Sequence, residues 1–315
     1  MNYFEGIVGQ EKNKKLLGFY IDYYKKFKLL PPFLFVAAKG NGKTMLATKL
    51  SEHLYNESKG AKNFAPPINA SNLRNFDTFW SSVVLPYVDS SREYTILIDE
   101  ASELPRDVMF SLLTALQPND ENRNIVTHPD GIQVTFDFKK TTFLFATTDP
   151  QKLTSAMKSR LTIVSLECYN SIQLQQIIKN KLNQSKIKPK DNALEKIVSY
   201  IKNNGRSAVN VSKNIINYCQ LKNCFEFTID VCEEVVDLYD LKPHGLDKND
   251  LTILSALNSK SHLKLMDLEA ITGLEGPAIR LEFESNLVRN GLMGREAKGR
   301  YITNKGKKYL EKHGA

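Results

Sequence analysis

Residues 37–44, AAKGNGKT, decide the fold of the first half of the chain. The apolar run FLFV at 33–36 comes directly before them, and a helix-compatible stretch follows from Lys43 to Tyr55. A glycine-rich turn between a buried strand and a helix presents backbone N–H groups at the positive end of the helix dipole, where an anion is favoured. The order of strand, glycine turn and helix therefore predicts a phosphate-binding loop.

The side chains of this loop indicate the kind of phosphate compound that it binds. Lys43 would reach the β- and γ-phosphates of a nucleotide, and the Thr44 hydroxyl would bind Mg²⁺. The first glycine of the usual pattern GxxxxGK[ST] is Ala37 here, a mild change because the phosphates lie on the later glycines. We therefore predict an ATP and Mg²⁺ site. Its loop residues are Gly40, Asn41 and Gly42.

A second apolar run ends in two acids that complete this site. Residues 96–100 are ILIDE, and ligands of parallel α/β sheets bind at the carboxyl ends of the strands. Asp99 would hold the Mg²⁺ shell, and Glu100 would polarise the attacking water. Acids after a strand are also common helix caps, but their occurrence after a phosphate loop, in this order, favours a hydrolytic site.

The first half of the chain alternates apolar runs with helical patterns, which predicts a parallel sheet with helices on both faces. Continuous apolar runs suit strands that are covered on both sides. A segment of different character at 124–137 predicts a β-hairpin with a turn at Asp130-Gly131. The predicted strands are Phe33–Ala38, a weaker one around Ile68, Tyr94–Asp99, Thr142–Thr147 and Thr162–Glu167.

The second half predicts two further domains. Apolar residues recur with a period of 3.6 across 168–242, which indicates a small helical bundle, and Pro243-His244-Gly245 is a plausible boundary. Residues 246–315 predict three short helices and then two strands, the order of a winged helix. The predicted domains are an ATPase domain at 1–167, a helical lid at 168–242 and a winged helix at 243–315.

Composition and charge placement restrict the partners and the compartment. The net charge is +8, and residues 286–315 carry eight basic groups against two acids, which favours a polyanion. No apolar run approaches the roughly 18 residues needed to span a membrane, and the first residues lack a secretory pattern. The four cysteines form no CxxC pair, so we expect reduced, mostly buried thiols and a cytoplasmic protein without a membrane partner.

These motifs, taken in order and spacing, resemble those of the AAA+ ATPases, and within that class the chain is most similar to RuvB, the bacterial Holliday-junction branch-migration motor. The resemblance spans nearly the whole chain. The stretches that carry it are Val8-Gly9-Gln10, the phosphate loop, Asp99-Glu100, Phe143–Thr148, Ser159-Arg160-Leu161, the hairpin, Ser165–Tyr169, Gly245–Asp250, Leu287–Leu292 and Gly299–Thr303.

The resemblance implies roles for residues outside the loop. Thr148, or its neighbour Thr147, would be the polar sensor that places water near the γ-phosphate. Arg160 would be an arginine finger that acts on ATP bound by the adjacent subunit, which implies a homo-oligomeric ring, most commonly a hexamer. The remaining nucleotide contacts implied by the resemblance are Ile7, Val8, Met45 and Arg206.

The chain departs from the family pattern in the lid. RuvB-like proteins have a sensor arginine there, whereas this chain has Ala208 at the aligned position and Arg206 two residues earlier. Either Arg206 substitutes for that arginine, or hydrolysis and lid closure are coupled differently. A second departure is Glu296, an acid within the basic wing.

The carboxyl-terminal wing is the predicted DNA contact. Its cations Arg295, Lys298 and Arg300 can neutralise phosphates without reading sequence, which suits a motor on double-stranded or branched DNA. The predicted recognition helix carries Glu282 and Glu284, which argues against strong base recognition. In RuvB the element equivalent to hairpin 124–137 engages the junction-binding adaptor RuvA, so the resemblance implies a possible adaptor here.

The leading hypothesis is an ATPase that translocates on DNA, of the helicase or branch-migration type. One alternative keeps the ATPase but makes the chain a loader or switch that acts on a protein client at DNA. A second alternative is a DNA-binding regulator that binds nucleotide without motor activity. The presence of Lys43, Asp99, Glu100 and Arg160 together argues against the second alternative.

Overall fold

The computed structural model describes residues 3–58, 62–88, 93–117, 125–127, 133–135 and 138–314. The chain divides into two compact units with a boundary between Cys168 and Tyr169. The division into three domains stays a prediction, although the second unit contains two separate hydrophobic clusters. Among the described helices, none has both the length and the apolar character needed to cross a membrane.

The first unit contains one mainly parallel α/β layer. Within the described residues its sheet has six strands in the order β2-β4-β7-β1-β8, and β3 extends the β2 edge of β4. All of these neighbours run parallel. The strands of this unit are β1 (Phe33–Val36), β2 (Lys62–Phe64), β3 (Ile68–Asn69), β4 (Glu93–Asp99), β5 (Ile125–Thr127), β6 (Gln133–Thr135), β7 (Thr141–Thr147) and β8 (Thr162–Ser165).

Helices cover both faces of this sheet, as predicted. Alternate strand residues enter opposite cores: Ile96 and Phe143 lie in one cluster, whereas Leu97 and Leu144 lie in the other. A strand buried on both faces gains hydrophobic free energy from every residue, which explains the continuous apolar runs. The helices are α1 (Glu11–Phe27), α2 (Lys43–Glu57), α3 (residues 76–87), α4 (Arg106–Ala115) and α5 (Ser155–Lys158).

Two strand predictions were too long at their carboxyl ends. β1 stops at Val36, because Ala37 already begins the loop, and β8 stops at Ser165. β2 was not predicted at all. The predicted hairpin is present as β5 and β6, with Val126 opposite Val134, whereas its Asp130-Gly131 turn lies outside the described residues.

The second unit begins with the predicted helical bundle. Asparagine side chains start two of its helices, since Asn170 and Asn204 each accept a hydrogen bond from a first-turn N–H group. Apolar residues at helical spacing then fill one core. The elements are α6 (Ser171–Gln184), β9 (Lys188–Pro189), α7 (Asp191–Val198), α8 (Gly205–Lys222), β10 (Glu226–Phe227) and α9 (Ile229–Leu238).

The carboxyl-terminal part of this unit is the predicted winged helix, with one helix more than expected. Three helices precede an antiparallel pair of strands, and a further helix, α13, follows them. Tyr309 of α13 is buried in the winged-helix core. The elements are α10 (Lys248–Ser259), α11 (Leu265–Thr272), α12 (residues 276–289), β11 (Met293–Glu296), β12 (Gly299–Ile302) and α13 (Asn304–His313).

Candidate nucleotide site and nucleic-acid interface

The phosphate loop has the backbone that its glycines predict. Gly40 and Gly42 adopt φ of +85° and +86°, in the left-handed region where a side chain is strained. Gly42 is also the first cap of α2 and has no side chain to occupy the N–H groups of the first helical turn. Those donors, at the positive end of a four-turn helix, form an anion site.

Lys43 lies inside this loop rather than in solvent. Its side chain is buried, and its Nζ donates a hydrogen bond of 3.0 Å to the carbonyl oxygen of Ala37, the first residue of the loop. An ammonium held across a loop of backbone donors adds a full positive charge to the anion site. The geometry therefore fits a polyphosphate.

Thr44 and Asp99 bring two oxygen ligands together. The Thr44 hydroxyl donates to Asp99 Oδ2 at 2.7 Å, and Asp99 Oδ1 accepts from the Glu100 backbone N–H at 2.9 Å. Mg²⁺ is usually held by one or two protein oxygens together with water and substrate phosphates. A hydroxyl and a carboxylate beside the phosphate loop fit that ligand set.

Glu100 stands at the end of β4 in an uncommon conformation. Its φ of +50° lies in the left-handed region, which is sparsely populated for residues other than glycine and is frequent at functional sites. Thr148 Oγ1 donates to Glu100 Oε2 at 3.5 Å. Thr147, the alternative sensor, is fully buried and accepts from the Asp149 backbone N–H instead. The geometry thus associates Thr148, rather than Thr147, with the predicted catalytic acid.

Strand order explains why residues far apart in sequence meet here. β7 lies between β1 and β4, and these three strands are parallel. The loop after β1, the acids after β4 and Thr148 after β7 therefore lie at one edge of the sheet, where α/β proteins bind ligands.

The side chain of Asn41, the residue between the two loop glycines, is buried. The residue is 1% exposed, and its Nδ2 donates to Cys168 Sγ at 3.5 Å. Its Oδ1 is buried and has no hydrogen-bond partner among the residues that the structure describes. Cys168 itself is exposed, and Cys224 is half-buried, so the expectation of mostly buried thiols holds only for Cys219 and Cys232.

The amino-terminal segment is fixed to the sheet by residues that sequence analysis did not single out as contacts. Gln10 Nε2 donates to the Glu167 carbonyl at 2.8 Å, and Asn13 Nδ2 donates to the Ser165 carbonyl at 2.8 Å. Gln10 has a φ of +62°. Ile7 is buried in the core and Val8 is half-buried, and their predicted nucleotide contact stays a prediction.

The remaining predicted nucleotide residues lie on helix ends and surfaces. Met45 on α2 is 47% exposed. Arg160 follows α5 and donates through Nη1 to the Ala156 carbonyl at 2.7 Å, while its Nε is buried without a partner in the described part of the chain. Arg206 is exposed in the first turn of α8, whereas Ala208 is fully buried in the lid core. Their roles stay predictions.

The three predicted DNA contacts differ in their exposure and in their ion pairs. Lys298 is exposed between the two wing strands. Arg300 is ion-paired through Nε with Glu284 Oε1, and its side chain is only 11% exposed. Arg295, its cross-strand neighbour, reaches Glu284 Oε2 at 3.4 Å but remains 61% exposed. Lys298 and Arg295 are therefore available to phosphates, whereas Arg300 neutralises the buried carboxylate of Glu284.

Glu284 itself is not where the sequence suggested. From the sequence, Glu284 and Glu282 together argue against base recognition, but Glu284 is 3% exposed and lies under the wing. Glu284 is therefore no argument against base recognition, whereas Glu282 is exposed.

Comparisons with known proteins agree with this architecture. The family model of the RuvB C-terminal winged helix domain matches residues 243–311. The Holliday junction branch migration complex subunit RuvB of Mycoplasmopsis pulmonis is 25% identical over 314 residues, which cover 98% of this chain and 96% of that protein. The protein of the same name from Thermotoga maritima is 24% identical over 309 residues, 96% of this chain and 89% of the relative.

Solved structures give the same fold. The Thermotoga maritima RuvB Holliday junction branch migration motor superimposes with a TM-score of 0.79 at 22% identity, over 96% of this chain and 95% of that one. The Aeropyrum pernix ORC2 protein gives a TM-score of 0.55 at 14% identity, over 98% and 96% of the two chains. The resemblance inferred from the sequence is confirmed: the chain is similar to RuvB over nearly its whole length, and its residues 243–311 match the RuvB winged helix domain.

Proposed function

We propose that the chain is an ATP-driven motor subunit that moves double-stranded or branched DNA, with branch migration of four-way junctions as its reaction. One observation carries the proposal. Lys43, Thr44, Asp99, Glu100 and Thr148, five polar residues from three adjacent strand ends, converge beside a phosphate loop in a chain that also has a RuvB-type winged helix.

Each residue then has a defined task. The loop N–H groups and Lys43 bind the phosphates of ATP, and Thr44 and Asp99 hold Mg²⁺, which neutralises charge that develops on the phosphates. Glu100 accepts a proton from the attacking water, and Thr148 orients the Glu100 carboxylate. We assign Arg160 to the ATP of a neighbouring subunit in a homo-oligomeric, hexameric ring.

The DNA contact is assigned to the exposed wing cations Arg295 and Lys298. Contacts to phosphates carry no sequence information, so they suit a motor that must pass any sequence. The relatives are named as subunits of a branch migration complex, which supports an adaptor as a partner, with hairpin 124–137 as the proposed contact. Because the substrate is DNA, we place the activity in the cytoplasm.

The test is a branch-migration assay on a synthetic four-way junction with homologous arms, run with ATP at fixed salt and with and without an adaptor. The proposal predicts ATP-dependent conversion to separated duplexes by the wild-type chain, and none by the Lys43→Ala or Glu100→Gln variants. Junction conversion that both variants retain would refute it. ATP turnover without conversion under any condition would favour a loader acting on a protein client.

A further inference from the structure

One lysine of the lid contacts the winged helix through both charge and packing. Lys202 lies in the turn between α7 and α8, and its Nζ forms ion pairs of 2.9 Å with Asp250 and 3.1 Å with Asp247, both at the start of α10. The same ammonium lies 5.5 Å from the ring centroid of Phe283, which belongs to the winged-helix core. A single lid side chain thus contacts two helices of the winged helix.

Asp250, the closer partner of Lys202, is buried. Its side chain is fully buried, its Oδ2 also accepts from the Asp247 backbone N–H at 3.0 Å, and its Oδ1 has no partner among the residues described. Burial raises the pKa of Asp250, and the charge of Lys202 opposes that rise. Attraction to Asp250 and Asp247 outweighs the effect of burial on Lys202, so the pKa of Lys202 is raised.

The linker between the lid and the winged helix, Pro243-His244-Gly245, is held by hydrogen bonds and by close packing. The His244 N–H donates to the Ser199 carbonyl at 2.7 Å, and the Tyr309 hydroxyl donates to the Pro243 carbonyl at 2.8 Å. Gly245 has a φ of +65°, and a Cβ there would lie 2.4 Å from the Lys202 backbone nitrogen. Backbone therefore packs on backbone, which leaves little room for the linker to move as a hinge.

Lys202 is also joined to the start of α8, where Arg206 lies. The Asn204 N–H donates to the Lys202 carbonyl at 2.7 Å, and the Asn204 side chain caps α8 through the Ser207 N–H at 2.8 Å. Continuous hydrogen bonds and the two ion pairs of Lys202 therefore connect the first turn of α8 to the start of α10.

We propose that Lys202 is a positioning residue that locks the winged helix to the lid, so that the two move as one body and lid movement is transmitted to the DNA-binding wing. The part about DNA rests on the proposed function, whereas the lock itself does not. A buried ion pair contributes little net stability compared with apolar packing, but it fixes one geometry, because any displacement leaves a charge buried and unpaired. That property suits a rigid connection.

The test uses the full-length chain with four variants. Lys202→Met removes the charge and keeps the length of the side chain, and Lys202→Arg should rescue the function. The double variant Lys202→Met/Asp250→Leu removes both charges, so that a folded protein is obtained even if the single variant unfolds. Lys190→Met is the matched control, since the Lys190–Glu226 pair lies within the lid.

Two measurements decide the outcome. The first is DNA-stimulated relative to basal ATP hydrolysis, which should fall at least about fivefold in Lys202→Met and in the double variant, the low end of coupling between sites. Basal hydrolysis and DNA affinity should stay within about twofold, and Lys190→Met should match the wild type. Unchanged stimulation in Lys202→Met and in the double variant would overturn the proposed transmission from lid to wing.

The second measurement is amide hydrogen exchange at His244 and Gly245, which does not depend on activity. The lock predicts exchange about tenfold faster in Lys202→Met than in the wild type or in Lys190→Met. Equal protection in all variants would overturn the lock. A wild type that DNA does not stimulate would refute the proposed motor, and exchange would still decide the lock.

Discussion

Replacing Glu284 by alanine tests how the wing is held. The carboxylate is 4% exposed and pairs with Arg300, which is 11% exposed, and with Arg295, which is 61% exposed. Removing one partner of a buried pair leaves an uncompensated charge, which costs about 3–5 kcal/mol. The Arg295 pair is largely solvated and adds at most about 1 kcal/mol. We therefore expect a loss of about 3 kcal/mol in the free energy of unfolding.

The assay is thermal unfolding of the full-length chain. For a cooperative unit of about 150 residues, a loss of this size lowers the midpoint by about 6–12 °C. Glu282→Ala is the matched control, because Glu282 is exposed on the same helix and should change stability by no more than about 0.5 kcal/mol. The double variant Glu284→Leu/Arg300→Met should recover most of the loss.

Equal midpoints for Glu284→Ala and Glu282→Ala would refute this reasoning. The carboxylate would then not be buried beneath the wing, and Arg300 would be available to DNA as the sequence alone suggested. A double variant as unstable as Glu284→Ala would instead indicate that loss of packing, rather than the unpaired charge, accounts for the cost.

Three further predictions concern hydrolysis, DNA binding and pH. Glu100→Gln should retain ATP binding in a fluorescent-nucleotide titration but lose about 10²–10⁴-fold in turnover, and normal turnover would contradict the site assignment. Arg295→Ala/Lys298→Ala should weaken DNA binding across sequences and lower the salt slope by about two, whereas an unchanged slope would place the contact elsewhere. Burial lowers the pKa of His244 below its usual 6.5, and the charges of Lys305 and His313 lower it further. Because the unfolded chain then binds the proton more readily, the free energy of unfolding should fall as the pH drops below about 6.5. Thermal midpoints between pH 7.5 and 5.5 check this, and His244→Asn, which tolerates the φ of +62°, should remove part of the dependence.

The arrangement of residues at the proposed nucleotide site could be predicted because its information is local. A strand, a glycine turn and a lysine within residues 33–44 specify the loop, and an apolar run that ends in Asp99-Glu100 specifies its acidic partners. Parallel strands necessarily place their carboxyl ends together, so the convergence of these segments followed from the fold class. The preference for Thr148 over Thr147 came from the structure, because the sequence does not show which of two neighbouring hydroxyls lies near Glu100.

The position of Glu284 could not be predicted for a physical reason. Residues 279–284 form a wider π-type turn within α12, which adds a residue to the turn and breaks the period of 3.6. Phe283 and Glu284 lie at the end of this turn, and both are buried. A glutamate in a helix is usually exposed, so nothing in the sequence pattern indicated that Glu284 is buried.

The contacts of Lys202 could not be predicted because its partners are distant in sequence. Lys202 and Asp250 are 48 positions apart, and a lysine and an aspartate in polar stretches are usually solvated. The final helix was missed because Asn304–His313 is rich in lysine and depends on Tyr309 packing against the rest of the winged helix. Tertiary contacts decide both features.

The most direct test of the central claim is steady-state ATP hydrolysis by the wild-type chain, without DNA, with long duplex DNA and with a four-way junction, all at one salt concentration. If the chain is a RuvB-like DNA motor, its ATP hydrolysis should depend on Mg²⁺ and be strongly stimulated by DNA. The Glu100→Gln variant should lose this hydrolysis. Hydrolysis that neither duplex nor junction DNA changes would contradict the motor and direct the search to a protein client.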